Sequence, residues 1–218
     1  MKEETPLNLE LHYKEAAEDS SEKLYVFLHG YSQDMTFLYN YFNKDCKKKN
    51  KHAIFIQAPF PLVGRFPLDT TPDKKKLFNG YAWYFYDAQS DEYIIPVTTP
   101  ASWIKNFLHN KFPHKKDITL VGYSQGGYLS PFIAQEVEAV KHIIGINCSF
   151  RYDLLSTFSC PRVDQLQGVA DVIVTPELAQ QRYHDFQKKY SFSGSFQMVE
   201  NETHKLTTSL KNIILEFL

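Results

Sequence analysis

The stretch Ile118-Thr-Leu-Val-Gly-Tyr-Ser-Gln-Gly-Gly127 constrains this chain more than any other. A short apolar run ends at Gly122, Ser124 lies between Gly122 and Gly126, and helix-compatible residues follow. Strand, sharp turn and helix in that order lift a serine hydroxyl above the carboxyl end of the strand. A side chain at Gly122 or Gly126 would collide with the strand or helix that passes it, which explains a glycine at each position. A bare Gly-x-Ser-x-Gly is a weak signal. The apolar strand before it and the helix after it make Ser124 a candidate nucleophile rather than part of a plain Gly/Ser turn.

The rest of the chain reads as strands alternating with helices. Leu7, Leu9, Leu11 and Tyr13 alternate with polar residues, as in an edge strand with one buried face. Leu24 to Leu28 is a continuous apolar run of the kind buried on both sides of a sheet, and it ends at His29-Gly30. Phe37, Leu38, Tyr41 and Phe42 fall on one helical face behind Asp34, a plausible N-cap. The basic runs Lys47 to Lys51 and Lys74 to Lys76 read as solvated loops. Ala53 to Gln57 is a further strand, followed by a long irregular, aromatic-rich region to about Pro100.

Thr99-Pro100 and Thr175-Pro176 each open a helix, the first with a capping hydroxyl. Leu178, Tyr183, Phe186 and Tyr190 form the stripe of the second. Ile143 to Ile146, Val163 to Gln167 and Ser195 to Val199 read as the remaining strands, and Leu206, Leu210, Ile213, Ile214 and Phe217 mark a closing amphipathic helix. Such alternation predicts an open, mostly parallel sheet with helices on both faces and a site at the carboxyl ends of its strands.

With 218 residues and 43% hydrophobic content, residues 1–218 are expected to form a single domain. Lys plus Arg total 24 against 25 for Asp plus Glu, so no global field favours nucleic acid or an anionic membrane. The first residues carry acids in place of a signal-peptide core, and no run approaches the roughly 18 apolar residues of a membrane span. A soluble, cytoplasmic protein without stable membrane insertion is expected; its oligomeric state is left open. Cys46, Cys148 and Cys160 fit neither a disulfide framework nor a zinc site and are read as free thiols, with no metal expected.

A serine hydroxyl needs a base and a third group to orient that base. His204, in the short link between the last strand and the last helix, is placed best, and His184 competes from inside a helix. Asp171 follows the strand ending at Gln167-Gly168 and is the candidate acid, with Asp164 and Asp185 less well placed. A tetrahedral intermediate also needs donors for its oxyanion. The backbone N–H groups of Gln125 and of Tyr31, the latter after His29-Gly30, are the candidates. His29 itself is read as a brace for that loop.

With Phe27-Leu-His-Gly30, Gly122-Tyr-Ser-Gln-Gly-Gly127, Gly168-Val-Ala-Asp171 and His204 in this order, the chain resembles the small carboxylesterase, lysophospholipase and acyl-protein thioesterase family of α/β-hydrolases. The likeness runs from about Leu24 to the C-terminus. It implies an α/β-hydrolase fold and cofactor-free hydrolysis of a small-molecule carboxylic ester or thioester through an acyl-enzyme on Ser124. Ser124, Asp171 and His204 would form the triad, with Tyr31 and Gln125 at the oxyanion site.

Three features depart from the family pattern. Tyr-Ser-Gln-Asp follows His29-Gly30 where many relatives carry a second glycine, Gln167 replaces a frequent histidine, and Pro131 should kink the helix after the serine. The connection between Ile146 and Val163 is too short for a large cap domain. A fairly open groove is therefore expected, lined by aromatics including Phe60, Phe66, Tyr81, Trp83 and Phe85. The competing hypotheses are a non-catalytic binding protein on the same fold, and a serine hydrolase acting on a lactone, a peptide or another activated acyl group.

Overall fold

The computed structural model describes residues 10–17, 20–63, 78–87 and 89–218. Among these, seven strands form the central sheet: β1 (Tyr13–Ala16), β2 (Lys23–Leu28), β3 (Ala53–Ile56), β8 (Asp117–Tyr123), β9 (Val140–Ile146), β10 (Arg162–Gly168) and β11 (Phe196–Val199). Their spatial order is β1-β3-β2-β8-β9-β10-β11. β1 runs antiparallel to β3, and the other neighbouring pairs are parallel. All the parallel strands therefore end on one edge of the sheet, where loops can gather side chains from distant parts of the chain.

Period-2 alternation sorts the strand side chains onto two faces. Leu24, Val26 and Leu28 of β2 enter one core with Ile104 and Leu108 of α2 (Thr98–Lys111), Leu129 and Ile133 of α3 (Gln125–Glu136), and Tyr183 and Phe186 of α4 (Pro176–Tyr190). Tyr25 and Phe27 enter the other, with Leu38 and Phe42 of α1 (Met35–Lys48) and Leu210 and Ile214 of α5 (Thr208–Phe217). Phe27 stacks on Phe55 at 4.5 Å between ring centroids. Fully burying one such side chain stabilises the fold by roughly 1.5–3 kcal/mol. The doubly covered sheet is thus dictated by apolar strands that have no polar side to give to solvent.

Several local expectations are corrected. The first strand begins only at Tyr13, past Leu11, while Leu7 and Leu9 lie outside the described residues, as do Lys74 to Lys76. The basic run after residue 46 is not all loop, because α1 continues through Lys47 and Lys48. There the cations face the partial negative charge of a helix C-terminus.

α2 starts at Thr98 behind Val97 with no side-chain cap, so Thr99 is inside the helix rather than its cap. The hydroxyl of Thr175 likewise makes no cap hydrogen bond, and Pro176 in the first turn starts α4. Leu178 is exposed, and Ala179 takes the buried position beside Tyr183 and Phe186. Pro131 is buried within α3, which is continuous from Gln125 to Glu136. Asp34 caps α1 as expected, accepting from the N–H groups of Thr36 at 2.8 Å and Phe37 at 3.2 Å.

The region expected to be irregular holds two antiparallel pairs: β4 (Phe60–Val63) with β5 (Phe78–Ala82), and β6 (Phe85–Asp87) with β7 (Glu92–Ile95). Their partners lie across turns or undescribed residues, so no local apolar period betrays them. Tyr81 also joins the loop after Gly30: its N–H donates to the Gln33 carbonyl at 2.8 Å, and its carbonyl accepts from Ser32 N at 3.0 Å. Residues 147–161 between β9 and β10 contain one short 3-10 turn, Tyr152–Leu154. Among the described residues no helix is long and apolar enough to cross a membrane.

Candidate active site

β8 ends at Tyr123 and turns directly into α3, with Ser124 at the corner. Its φ of 50° and ψ of −117° place a non-glycine residue in left-handed backbone, a strain of about 1–3 kcal/mol that the surroundings must hold. They do so through hydrogen bonds. Ser124 N–H donates to the Ile146 carbonyl at 2.8 Å, and the Ser124 carbonyl accepts from Gly127 N at 2.9 Å and Tyr128 N at 3.1 Å.

The flanking glycines have steric causes. A Cβ on Gly122 would stand 2.5 Å from the Gly126 carbonyl oxygen in α3, and one on Gly126 would stand 2.2 Å from the Leu28 carbonyl oxygen in β2. Both approaches are far inside van der Waals contact, so the helix could not cross so close to the strand with larger residues.

Asp171 lies just after β10, its side chain fully enclosed. One carboxylate oxygen, Oδ1, accepts from the N–H groups of Ile173 and Val174, each at 2.9 Å. The other, Oδ2, accepts from Gln167 Nε2 at 3.0 Å and faces His204 Nδ1 at 2.8 Å. A carboxylate ringed by donors in this way is held immobile. Because it only accepts, Nδ1 of a neutral His204 carries the proton and Nε2 presents its lone pair. That lone pair points at Ser124 Oγ, 3.0 Å away. The structure therefore brings the three residues chosen from sequence into one hydrogen-bonded chain from carboxylate to imidazole to hydroxyl.

Three further residues position this chain, and the sequence reading missed them. The Gln167 amide bridges Asp171 and the Val174 carbonyl, the latter at 2.9 Å. Asn147, just past β9, donates from Nδ2 to the Thr203 carbonyl at 3.0 Å and accepts at Oδ1 from Gly168 N at 2.9 Å, tying the His204 loop to the end of β10. Tyr123 donates its phenolic proton to the His204 carbonyl. Burial first, and the Asp171 charge second, push the Tyr123 phenol well above its ordinary pKa, so it stays a donor. The one available signal was position: Gln167, Asn147 and Tyr123 all stand at or just past a strand's carboxyl end.

The candidate competitors are elsewhere. His184 packs on α4 against Tyr183 and Phe196, and Asp164 binds His142 and Arg162 near the start of β10. Burial raises the thiol pKa of Cys46 to about 12 and of Cys160 to about 11, and raises that of Cys148 further, so none of the three free thiols is a nucleophile near neutral pH.

His29 braces the loop at the end of β2. Its Nε2 accepts from Ala58 N at 3.0 Å, which leaves Nδ1 to donate to the Gly30 carbonyl at 2.8 Å. Burial depresses the His29 pKa to about 4 and keeps the ring neutral in this role. Gly30 N–H is turned inward to Gln33 Oε1 at 2.8 Å. Among the described residues, the next N–H, that of Tyr31, meets no protein acceptor, and neither does that of Gln125 at the first position of α3.

Trp83, expected in the groove wall, is instead fully buried. Its indole N–H donates to the His29 carbonyl at 2.8 Å, and its backbone N–H donates to Gln125 Oε1 at 2.8 Å. Gln125 Nε2 then donates to the Tyr84 carbonyl at 2.9 Å. Trp83 is thus a strut joining the loop after β2 to the start of α3, because an indole in a core must place its N–H on an acceptor. Phe60 packs between Phe85 and Trp103, at 5.7 and 5.8 Å. Phe85 lines a cavity of about 470 Å³ together with Tyr31 and Gln125. Phe66 lies outside the described residues.

A family model described as serine hydrolase (FSH1) matches residues 20–199. No curated protein sequence matches the chain. Among solved structures it is similar to esterase PE8, at 17% identity and a TM-score of 0.75 over 96% of this chain and 98% of that one. It is also similar to acyl-protein thioesterase 2 of Zea mays, at 15% identity and 0.68 over 95% and 96% of the two chains. The carboxylesterase of Bacillus cereus follows at 12% identity and 0.65, covering 95% and 92%. At such identities the likeness is one of fold, the α/β-hydrolase fold.

Proposed function

The chain belongs to the serine hydrolase (FSH1) family, and from that premise we propose that Ser124, His204 and Asp171 hydrolyse a carboxylic ester or thioester through an acyl-enzyme. The observation that carries this reading is the 3.0 Å approach of His204 Nε2 to Ser124 Oγ, with Nδ1 anchored on Asp171 at 2.8 Å. His204 removes the hydroxyl proton as Oγ attacks the acyl carbon, and Asp171 stabilises the imidazolium that results. The oxyanion is received by the N–H groups of Tyr31 and Gln125, which the Trp83 strut holds in fixed relation. His204 then protonates the departing alcohol or thiol. Water repeats the sequence, adding across the acyl-serine carbonyl to release the acid and restore the hydroxyl.

Ester and thioester chemistry is favoured over peptide cleavage by the absence, among residues 147–161, of a cap that would grip an extended chain. Hydrolysis of 4-nitrophenyl and thiocholine esters tests the reading. Ser124→Ala is expected to lower kcat by roughly 10⁵-fold or more. An undiminished rate in that variant rejects it.

A further inference from the structure

The cavity beside the proposed nucleophile has an unusual wall. Tyr31 and Gln125, the residues on either side of the proposed oxyanion site, share its lining of about 470 Å³ with Tyr84, Tyr93, Arg151 and Arg182. Phenols and guanidiniums are hydrogen-bond donors, and among the described residues no carboxylate lines this space. Burial raises the pKa of Tyr84 and Tyr93, so both phenols stay protonated.

The two arginines are not equivalent. Arg151 is engaged by Asp153, with Nε at 3.0 Å and Nη2 at 2.9 Å from the carboxylate, so its charge is largely matched. Among the described residues Arg182 hydrogen-bonds only Ser149 Oγ, at 3.3 Å from Nη1, and has no carboxylate within ion-pair distance, although Asp153 acts on it at longer range. A guanidinium carries five N–H donors. Most of those on Arg182 are left for something that enters the cavity.

The acids that do lie nearby, Asp91, Asp153 and Asp185, line a separate depression of about 320 Å³ which also includes Arg151 and Arg182. The arginines therefore stand as a partition, with acids on one side and the aromatic cavity on the other. One unmatched positive charge facing a donor-lined space suits a single negative charge, and the acids behind it disfavour a dianion such as a phosphate monoester.

We propose that this cavity takes a short substrate arm ending in a carboxylate, and that Arg182 is the residue that selects it. The inference rests on the serine hydrolase reading above and narrows it to an ester or thioester with a second, charged end. The carboxylate could belong to the acyl part, as in a dicarboxylic monoester, or to the alcohol part. The chemistry that binds it is the same.

Matched substrates distinguish the two sources. Mono(4-nitrophenyl) glutarate is compared with 4-nitrophenyl pentanoate for the acyl arm, and 4-(butyryloxy)butanoate with butyl butyrate for the alcohol arm. In at least one pair the carboxylate substrate is expected to have a kcat/KM about tenfold or more above its neutral match. In Arg182→Gln that ratio falls to about one, Arg182→Lys restores part of it, and Lys141→Gln, at the opposite end of the sheet, leaves it unchanged.

Binding supplies a readout that does not depend on turnover. In Ser124→Ala protein the favoured carboxylate ester is expected to bind about tenfold more tightly than its neutral match, and Ser124→Ala/Arg182→Gln protein is expected to lose the difference. Absence of a preference in both pairs, in turnover and in binding, overturns the proposal, as does a preference that survives Arg182→Gln. Failure of the serine reading shows itself differently, as turnover that persists in Ser124→Ala.

Discussion

The parallel part of the sheet carries a serine, a histidine and an aspartate at each end. At the carboxyl end, Ser124, His204 and Asp171 are joined in that order, with the imidazole in the middle. At the amino end the carboxylate is in the middle. Asp164 Oδ1 accepts from Ser195 N at 2.9 Å and Ser195 Oγ at 2.8 Å, while Oδ2 contacts His142 Nε2 at 2.8 Å and Arg162 Nε at 2.6 Å.

The difference teaches that residue types do not make a nucleophile. Ser195 gives its proton to a carboxylate and has no imidazole lone pair facing it. Ser124 stands in strained backbone at a strand end, with the base aimed at its oxygen. The Ser195 cluster fastens the edge strand β11 to β10, and in the Ser124 cluster the imidazole faces the hydroxyl.

Exchanging one carboxylate oxygen for an amide at each end breaks the comparison most sharply. Asp171→Asn is expected to lower kcat by roughly 10⁴-fold, because the amide favours the wrong tautomer of His204, with little change in melting temperature. Asp164→Asn is expected to do the opposite. It should cost about 2 kcal/mol of stability, matching the depression of the Asp164 carboxyl to about 2 by His142, Arg162 and Ser195 against burial, while kcat stays within a few-fold. Thermal melts and steady-state kinetics on the two variants check both halves.

Acid titration sharpens the contrast between the buried groups. Folded His29 binds its proton only near pH 4, whereas the unfolded chain binds it near 6.5, so the unfolded state takes up more protons between those values. Stability should therefore fall by about 3 kcal/mol as pH drops from 6.5 to 4. Asp164, depressed in the fold, contributes a further loss only as pH falls from about 4 towards 2. Denaturant melts across this range should show two steps, with the upper one flattened in His29→Gln. The smallest effect is expected for Tyr123→Phe, which removes the tie to the His204 carbonyl: kcat falls about three- to tenfold with KM nearly unchanged.

Much of this was legible in the sequence because each candidate catalytic residue follows an expected strand, plain in its apolar run before Ser124 and weaker in pattern before Asp171. Val121 before Ser124, Leu166 before Asp171 and Val199 before His204 all announce a strand about to reach the same edge of a parallel sheet. What stayed hidden depends on partners far along the chain. Gln167 looked like a departure from a family pattern, and its amide proves to hold Asp171. Trp83 looked like a wall residue, since nothing local discloses an acceptor at His29. Asn147 and Arg182 carry no pattern at all until β9, β10 and α4 are placed side by side. Leu178 misled because its helical spacing matched the stripe, while the register put Ala179 inward.

Mapping the site of fluorophosphonate labelling by mass spectrometry tests the central claim most directly, because the reagent bonds only to a serine activated by a neighbouring base. One adduct is expected, on the peptide containing Ser124, absent in Ser124→Ala and retained in Ser195→Ala. An adduct on Ser195, or labelling that persists undiminished in Ser124→Ala, would contradict it.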